Sequence, residues 1–343
     1  MRSTLLASLL FVSCTGNVMD LPLVEDGGSG GGGGGSATGG GGGSVTGGGA
    51  ATGGGGATGG GASTGGGSAT GGGGSAIDPL STDRANFFGD TRCATSGLAF
   101  CEDFESRTAG QPPDPAKWTL QFWNMSATTL AIDDTRAARG TKAVKIHQTF
   151  DINRAVMTTR NALPLPKFWV RMFLYVREVP PPMHWDNQCM CLNPGVIHWT
   201  YAFAQGDTTF GDGVRKPEIR AGDFINEGLF VNEDGMGDGR QEVGQGDEMN
   251  KPAGYDMGMR AGEWQCLEFL WDAPGKEVKV FWDGREHPSL NVKNKAEWAF
   301  PDANFSSLTI GLSHYQNYPL LMNGLDVWID EVAIDPNRIG CVR

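Results

Sequence analysis

Between Gly27 and Gly74 the chain carries no charge and no side chain larger than one valine; the rest is Gly, Ser, Ala and Thr. Such a segment has no apolar surface to bury and much backbone entropy to lose, so no packed domain is expected there. Beyond the first dozen residues no run is long and apolar enough to cross a bilayer as a helix. No segment repeats apolar residues at a helical period of 3.6, which argues against a helical core. An excess of positive charge is also missing. Lys and Arg number 27 against 39 Asp and Glu, for a net charge of -12, of which about -10 falls after residue 26. A domain this acidic repels phosphate backbones, so nucleic acid is excluded as a natural partner.

Residues 1–14 place Arg2 ahead of the apolar run Leu5-Leu6-Ala7-Ser8-Leu9-Leu10-Phe11-Val12, then Ser13 and Cys14. This is a compact secretory signal. Phe11-Val12-Ser13-Cys14 resembles a bacterial lipobox, with Phe11 where Leu is usual. That resemblance implies lipidation of Cys14, and Thr15 after it implies an outer-membrane address. A plain secretory signal is the alternative. Residues 15–77 then form a linker. Its 48-residue glycine-rich part would span roughly 35–40 Å as a flexible coil.

Residues 78–343 hold all the tryptophans and are long enough for one large domain. Six cysteines lie there: Cys93, Cys101, Cys189, Cys191, Cys266 and Cys341. In an exported chain an even set reads as up to three disulfides, whose pairing the sequence leaves open. Cys189-Met190-Cys191 has only His184 nearby, too few ligands for zinc, and is read as part of that framework.

The pattern is β throughout. Trp169 to Val176 alternates cleanly between prolines. Glu263–Asp272 and Glu277–Trp282 form a hairpin across Ala273-Pro274-Gly275-Lys276, and Asp283-Gly284 is a turn signal. Ser307–Tyr315 and Leu325–Ile334 are further strands. Many short antiparallel strands predict an all-β, two-sheet jelly-roll sandwich.

Period-2 geometry sorts the side chains. The core-facing sets are Val170, Met172, Leu174 and Val176; Ile197, Trp199, Tyr201 and Phe203; Ile219; Leu267, Phe269 and Trp271; and Leu308, Ile310 and Leu312. The opposite positions hold Trp169, Arg171, Phe173 and Tyr175; His198 and Thr200; Glu218 and Arg220; Trp264, Cys266 and Glu268; and Thr309, Ser313 and Tyr315. Aromatic rings that stack on sugars, beside Arg, Glu and His that bond hydroxyls and carboxylates, suit a polysaccharide. The expected substrate-binding residues are Trp169, Arg171, Tyr175, Glu218 and Glu268. The plainer reading is a set of cross-strand ion pairs on an outer sheet.

The segments Glu263–Glu268, Val278–Gly284 and Trp328–Ile334, with Phe100–Glu105 as an opening strand beside the last one, resemble concanavalin A-like lectin and glucanase jelly rolls. The likeness is nearest to secreted cellulase-induced proteins and to alginate- and glucuronan-lyase types. Glu218-Ile219-Arg220, Ile197-His198 and Tyr315 echo lyase motifs, although Val196 replaces the family's Gln and the His and Arg motifs are in swapped order. The resemblance implies β-elimination on a uronate. Arg220, helped by Arg171, would neutralise the carboxylate. His198 or Tyr315 would take the C5 proton, and Tyr315 would protonate the leaving oxygen. The closely spaced acidic motif of glucanases is not evident. A non-catalytic adhesion module and a structural surface lipoprotein remain alternatives. No cofactor is required, though the acidic glycine-rich stretch from Asn232 to Gly239 and on to Asp247-Glu248 could supply oxygen ligands to Ca²⁺.

Overall fold

The computed structural model describes residues 77–123, 128–148, 153–178, 184–186, 191–193, 198–224, 229–234, 243–246, 259–314 and 324–343. Cys14, the tether, Cys189, Tyr315 and most of the acidic stretch beyond Asp234 therefore lie outside the described residues. So do the side chains of Cys191 and His198.

In chain order the strands are β1 (Phe100–Glu102), β2 (Thr119–Phe122), β3 (Thr128–Asp133), β4 (Ala143–Gln148), β5 (Asn153–Thr159), β6 (Lys167–Val176), β7 (His184–Asp186), β8 (Cys191–Asn193), β9 (His198–Gln205), β10 (Thr208–Phe210), β11 (Gly213–Arg215), β12 (Glu218–Phe224), β13 (Leu229–Asp234), β14 (Val243–Gly246), β15 (Trp264–Asp272), β16 (Glu277–Trp282), β17 (Arg285–Glu286), β18 (Val292–Lys293), β19 (Ser307–His314) and β20 (Leu325–Asp335). Among the described residues there is no α-helix, and none long and apolar enough to cross a membrane.

Two antiparallel sheets dominate. The first has nine strands in the order β17-β16-β15-β6-β20-β4-β3, with β1 added to β20 and β18 to β16. The second has seven, in the order β14-β13-β12-β9-β19-β5-β2. The opening strand does lie beside the last, with Phe100 opposite Ile334. The hairpin of β15 and β16 forms as its sequence predicts. Asp283 and Gly284, both at positive φ (47° and 77°), make a two-residue turn between Trp282 and Arg285, as an Asp-Gly pair favours.

One apolar core lies between the sheets. It takes Val170, Met172, Leu174, Val176, Leu267, Phe269 and Trp271 from the first sheet, and Trp199, Tyr201, Ile219, Leu308, Ile310 and Leu312 from the second. These are the inward sets that alternation assigns, with one exception. In β9 the register against β12 jumps, so that Ala221 faces Ala202 while Gly222 faces Thr200, leaving Tyr201 as an extra residue. This bulge reverses the alternation. Ala202 and Ala204 join the core, and Phe203, expected inside, turns to the other side with its partner Arg220. Gly311 sits where β19 passes the same irregularity, at φ 138°, and a Cβ there would collide with the backbone of Ala155 and Val156.

Candidate functional site

Because each sheet gives one face to the shared core, the two remaining faces point away from each other. The expectation that Trp169, Arg171, Tyr175, Glu218, Arg220 and Glu268 share a face is therefore corrected. β6 and β15 belong to the nine-stranded sheet, whereas β9, β12 and β19 belong to the seven-stranded one.

On the nine-stranded sheet the chain's own ends cover the outward residues. Arg171 is fully buried. It pairs with Glu331 (3.0 Å) and donates to the carbonyl of Arg343. Glu331 also pairs with Arg139 and accepts from the backbone N–H of Arg92 at 2.7 Å. Desolvation lowers both guanidinium pKa values, that of Arg139 to about 9 with help from the nearby charge of Arg171. Glu268, also fully buried, accepts from the backbone N–H groups of Ile339 (3.0 Å) and Gly340 (2.8 Å) and from Arg338 (2.9 Å). Arg338 lies 3.9 Å over the Phe281 ring and 5.7 Å over Trp169. Tyr175 is enclosed by Trp264 and Trp328, with Arg136 over its ring at 4.5 Å. Disulfides Cys266–Cys341 and Cys93–Cys101 fix these ends. Trp169, Arg171 and Glu268 are thus engaged in fastening the termini, and Tyr175 is packed among Trp264, Trp328 and Arg136. Arg171 cannot assist Arg220, because it lies on the other sheet.

The outward face of the seven-stranded sheet is different. Glu218, 1% exposed, accepts from two guanidiniums. Arg154 in β5 reaches its two oxygens at 3.2 and 3.3 Å, and Arg220 reaches Oε2 at 2.7 Å through Nε and 2.6 Å through Nη2. Arg154 also donates to Ser313 Oγ at 3.1 Å. Two guanidiniums thus share one carboxylate on this face. Trp123, just past β2, lies over Arg154 at 4.4 Å and is 46% exposed, while Phe203 flanks the same guanidinium at 5.2 Å. Its own backbone N–H donates to the Arg154 carbonyl at 3.1 Å, which fixes the ring's base.

Of the expected catalytic residues, Arg220 is therefore present in an ion-pair cluster. His198 pairs with Phe224 across β9 and β12, on the strands that carry Phe203 and Arg220. Tyr315 follows the last described residue of β19. Arg154, Trp123 and Phe203 were missed from sequence. Arg154 does alternate with the inward Ala155 and Met157, which is a readable signal; Trp123 follows a four-residue strand too short to read. Among the described residues no group of three or more His, Cys, Asp or Glu could hold a metal.

The face continues along β2, where Thr119, Gln121 and Trp123 alternate outward, to a groove of about 550 Å³ at the sheet's end. Gln121, Thr158, Arg160, Gln205 and Lys216 contribute to its lining. Gln205 stands directly opposite Glu218. Gly206 has no Cβ, so the 301–306 segment, with Ser306 at its end, packs close against it.

No family model and no curated protein matches this chain. Among solved structures it is similar to a cellulose-induced protein, Cip1, at 16% identity over 71% of this chain and 99% of that one, with a TM-score of 0.47. It is also similar to the catalytic domain of an endo-1,3-beta-glucanase (laminarinase) from Thermotoga petrophila, at 15% identity over 70% and 98% of the two chains, with a TM-score of 0.43. A non-specific endo-beta-1,3(4)-glucanase from family GH16 gives 10% identity over 69% and 89%, with a TM-score of 0.40. What the site does is argued from its own residues.

Proposed function

We propose that the outward face of the seven-stranded sheet binds an acidic polysaccharide. The observation that carries this is the half-exposed Trp123 ring stacked on Arg154, above a cluster of two guanidiniums and one carboxylate. The ring offers a platform for the apolar face of a sugar. The guanidiniums beneath it are donors suited to the carboxylate and hydroxyls of a uronate. Binding of oligouronates to the full chain, followed by titration calorimetry, tests this. Trp123→Ala is expected to weaken binding by about tenfold or more, on the scale of a lost aromatic platform of 1–3 kcal/mol. Unchanged affinity would refute the assignment.

A second reading, β-elimination of a uronate, would use His198 and Arg220 from the adjacent strands β9 and β12, with His198 opposite Phe224, about 13 Å along β12 from Arg220. Release of unsaturated uronate products, followed by ultraviolet absorbance on alginate, glucuronan and pectin, decides it. No signal on all three substrates leaves binding alone. We also read residues 1–14 as an export signal ending in a lipid anchor at Cys14, with the glycine-rich segment as a tether at the outer membrane. The two disulfides among the described residues fit an oxidising compartment. Labelling with a fatty-acid analogue that is lost in Cys14→Ser tests the anchor.

A further inference from the structure

The groove at the end of the seven-stranded sheet has no acidic side chain in its wall. Its lining has three cations, Lys117, Arg160 and Lys216, and no Asp or Glu, on a chain whose net charge is -12. Neutral hydrogen-bonding groups, among them Gln121, Thr158, Asn161, Gln205 and Ser306, and apolar side chains such as Trp118 and Leu120 make up the rest. The cations are not equally available. Lys117 pairs with the buried Glu102 at 2.8 Å. Lys216 makes a looser pair, 3.4 Å, with the exposed Asp207. Arg160 is exposed, and no side-chain hydrogen bond or ion pair of its guanidinium is seen among the described residues. It is presented by a turn in which its carbonyl accepts from Leu163 N–H at 3.0 Å and Asn161 N–H donates to Thr159 Oγ1 at 3.1 Å.

The groove and the Trp123 platform are one surface. Thr119, Gln121 and Trp123 are alternate residues of a single strand edge, so the groove wall at Gln121 lies about 7 Å from the platform. On the neighbouring strand, Thr158 of the groove and Arg154 of the cluster are four residues apart, about 13 Å. Thr158 is held in place by a 2.8 Å hydroxyl contact to Thr309. The volume falls within the range of about 300–1,000 Å³ usual for small-ligand pockets.

We propose that this groove is a distal anion subsite, in which Arg160 and Lys216 engage a charged substituent, carboxylate or sulfate ester, of the same glycan chain that stacks on Trp123. The inference rests on the reading of Trp123 as a glycan platform and adds a direction: the bound chain runs along β2 and β5 toward the sheet's end. The cations beneath Trp123 are locked in the Glu218 cluster and mostly buried, whereas those of the groove reach solvent. Charge selectivity should therefore reside chiefly in the groove.

The test is calorimetric titration of the full chain with a uronate hexasaccharide, a sulfated neutral hexasaccharide and an uncharged glucan hexasaccharide, at low and high salt. Arg160→Ala with Lys216→Ala is expected to weaken binding of whichever anionic ligand is native by about fivefold to tenfold and to flatten its salt dependence, leaving the uncharged hexasaccharide unaffected. Arg160→Lys with Lys216→Arg should restore most of the loss. Both substituted positions are exposed, so folding is not at stake. If the double alanine variant binds as the parent while Trp123→Ala does not bind, the subsite is overturned and the platform stands. An equal loss for charged and uncharged ligands overturns the charge-selective role. If the parent binds none of the three ligands, the platform reading falls and the subsite falls with it. The uronate and sulfate arms identify which anion is read.

Discussion

The two outward faces of this sandwich are built from the same kinds of residue and are used differently. On the nine-stranded sheet, Arg171, Glu331 and Glu268 form a buried lattice against the two ends of the domain, beside the half-buried Trp169 and the second apolar cluster of Phe87, Phe173, Cys266, Cys341 and Val342. On the seven-stranded sheet, Arg154, Glu218 and Arg220 form a comparable lattice, but an aromatic ring and a cation-lined groove beside it stay open to solvent. An Arg–Glu–aromatic pattern therefore does not identify a ligand face. What separates the two, among the described residues, is the exposed Trp123 ring and the open groove beside the second lattice.

The largest break in this comparison should come from Glu331→Ala. It leaves Arg139 and Arg171 buried without their shared carboxylate, and a loss of about 3–5 kcal/mol is expected in denaturant unfolding. Glycan affinity of the fraction that remains folded should not change. Opening Cys266–Cys341, which closes a sequence separation of 75 residues, should cost about 4 kcal/mol by chain entropy, read as a lower thermal midpoint under reducing conditions. Next in size is a paired contrast between two tryptophans. Trp169→Ala should lower stability and leave oligouronate affinity intact, whereas Trp123→Ala should do the reverse. A loss of affinity in Trp169→Ala would mean that the covered face takes part after all.

A pH dependence is also expected, confined to the covered face. Burial pushes the Asp330 carboxyl up to about 7, against the hydrogen bonds it accepts from the backbone N–H groups of Ala138, Arg139 and Glu331. A folded pKa raised above the unfolded value near 4 means that the native state binds the extra proton. Stability from this group thus falls as pH rises from the unfolded value through the folded one, and is constant above it. The slope is about 1 kcal/mol per pH unit just below pH 7. Thermal melts of the parent and of Asp330→Asn across this window should converge toward low pH. Parallel curves would show that Asp330 is ionised throughout.

Much of the fold was legible residue by residue. The inward sets of β6, β12, β15 and β19 follow from alternation alone, the Asp283-Gly284 turn from its residue types, and the pairing of the first strand with the last from resemblance. Phe203 shows one limit. A single extra residue in β9 reverses every side chain after it, and nothing local in the sequence marks that position. Trp169 and Arg171 show the other limit. Alternation places them outward correctly, but outward from which sheet depends on strand partners far apart in the chain.

Composition and local pattern by themselves determined that the described domain is β. They also determined which side chains along most strands face the interior, because burial and the two-residue repeat act on neighbouring positions. Only the tertiary structure decided which outward residues meet one another. It set Arg154 and Arg220 on Glu218, and sent Arg171 and Glu268 to the chain ends. Sheet order and terminal docking are contacts over long sequence separation, whose energies appear only when distant strands come together.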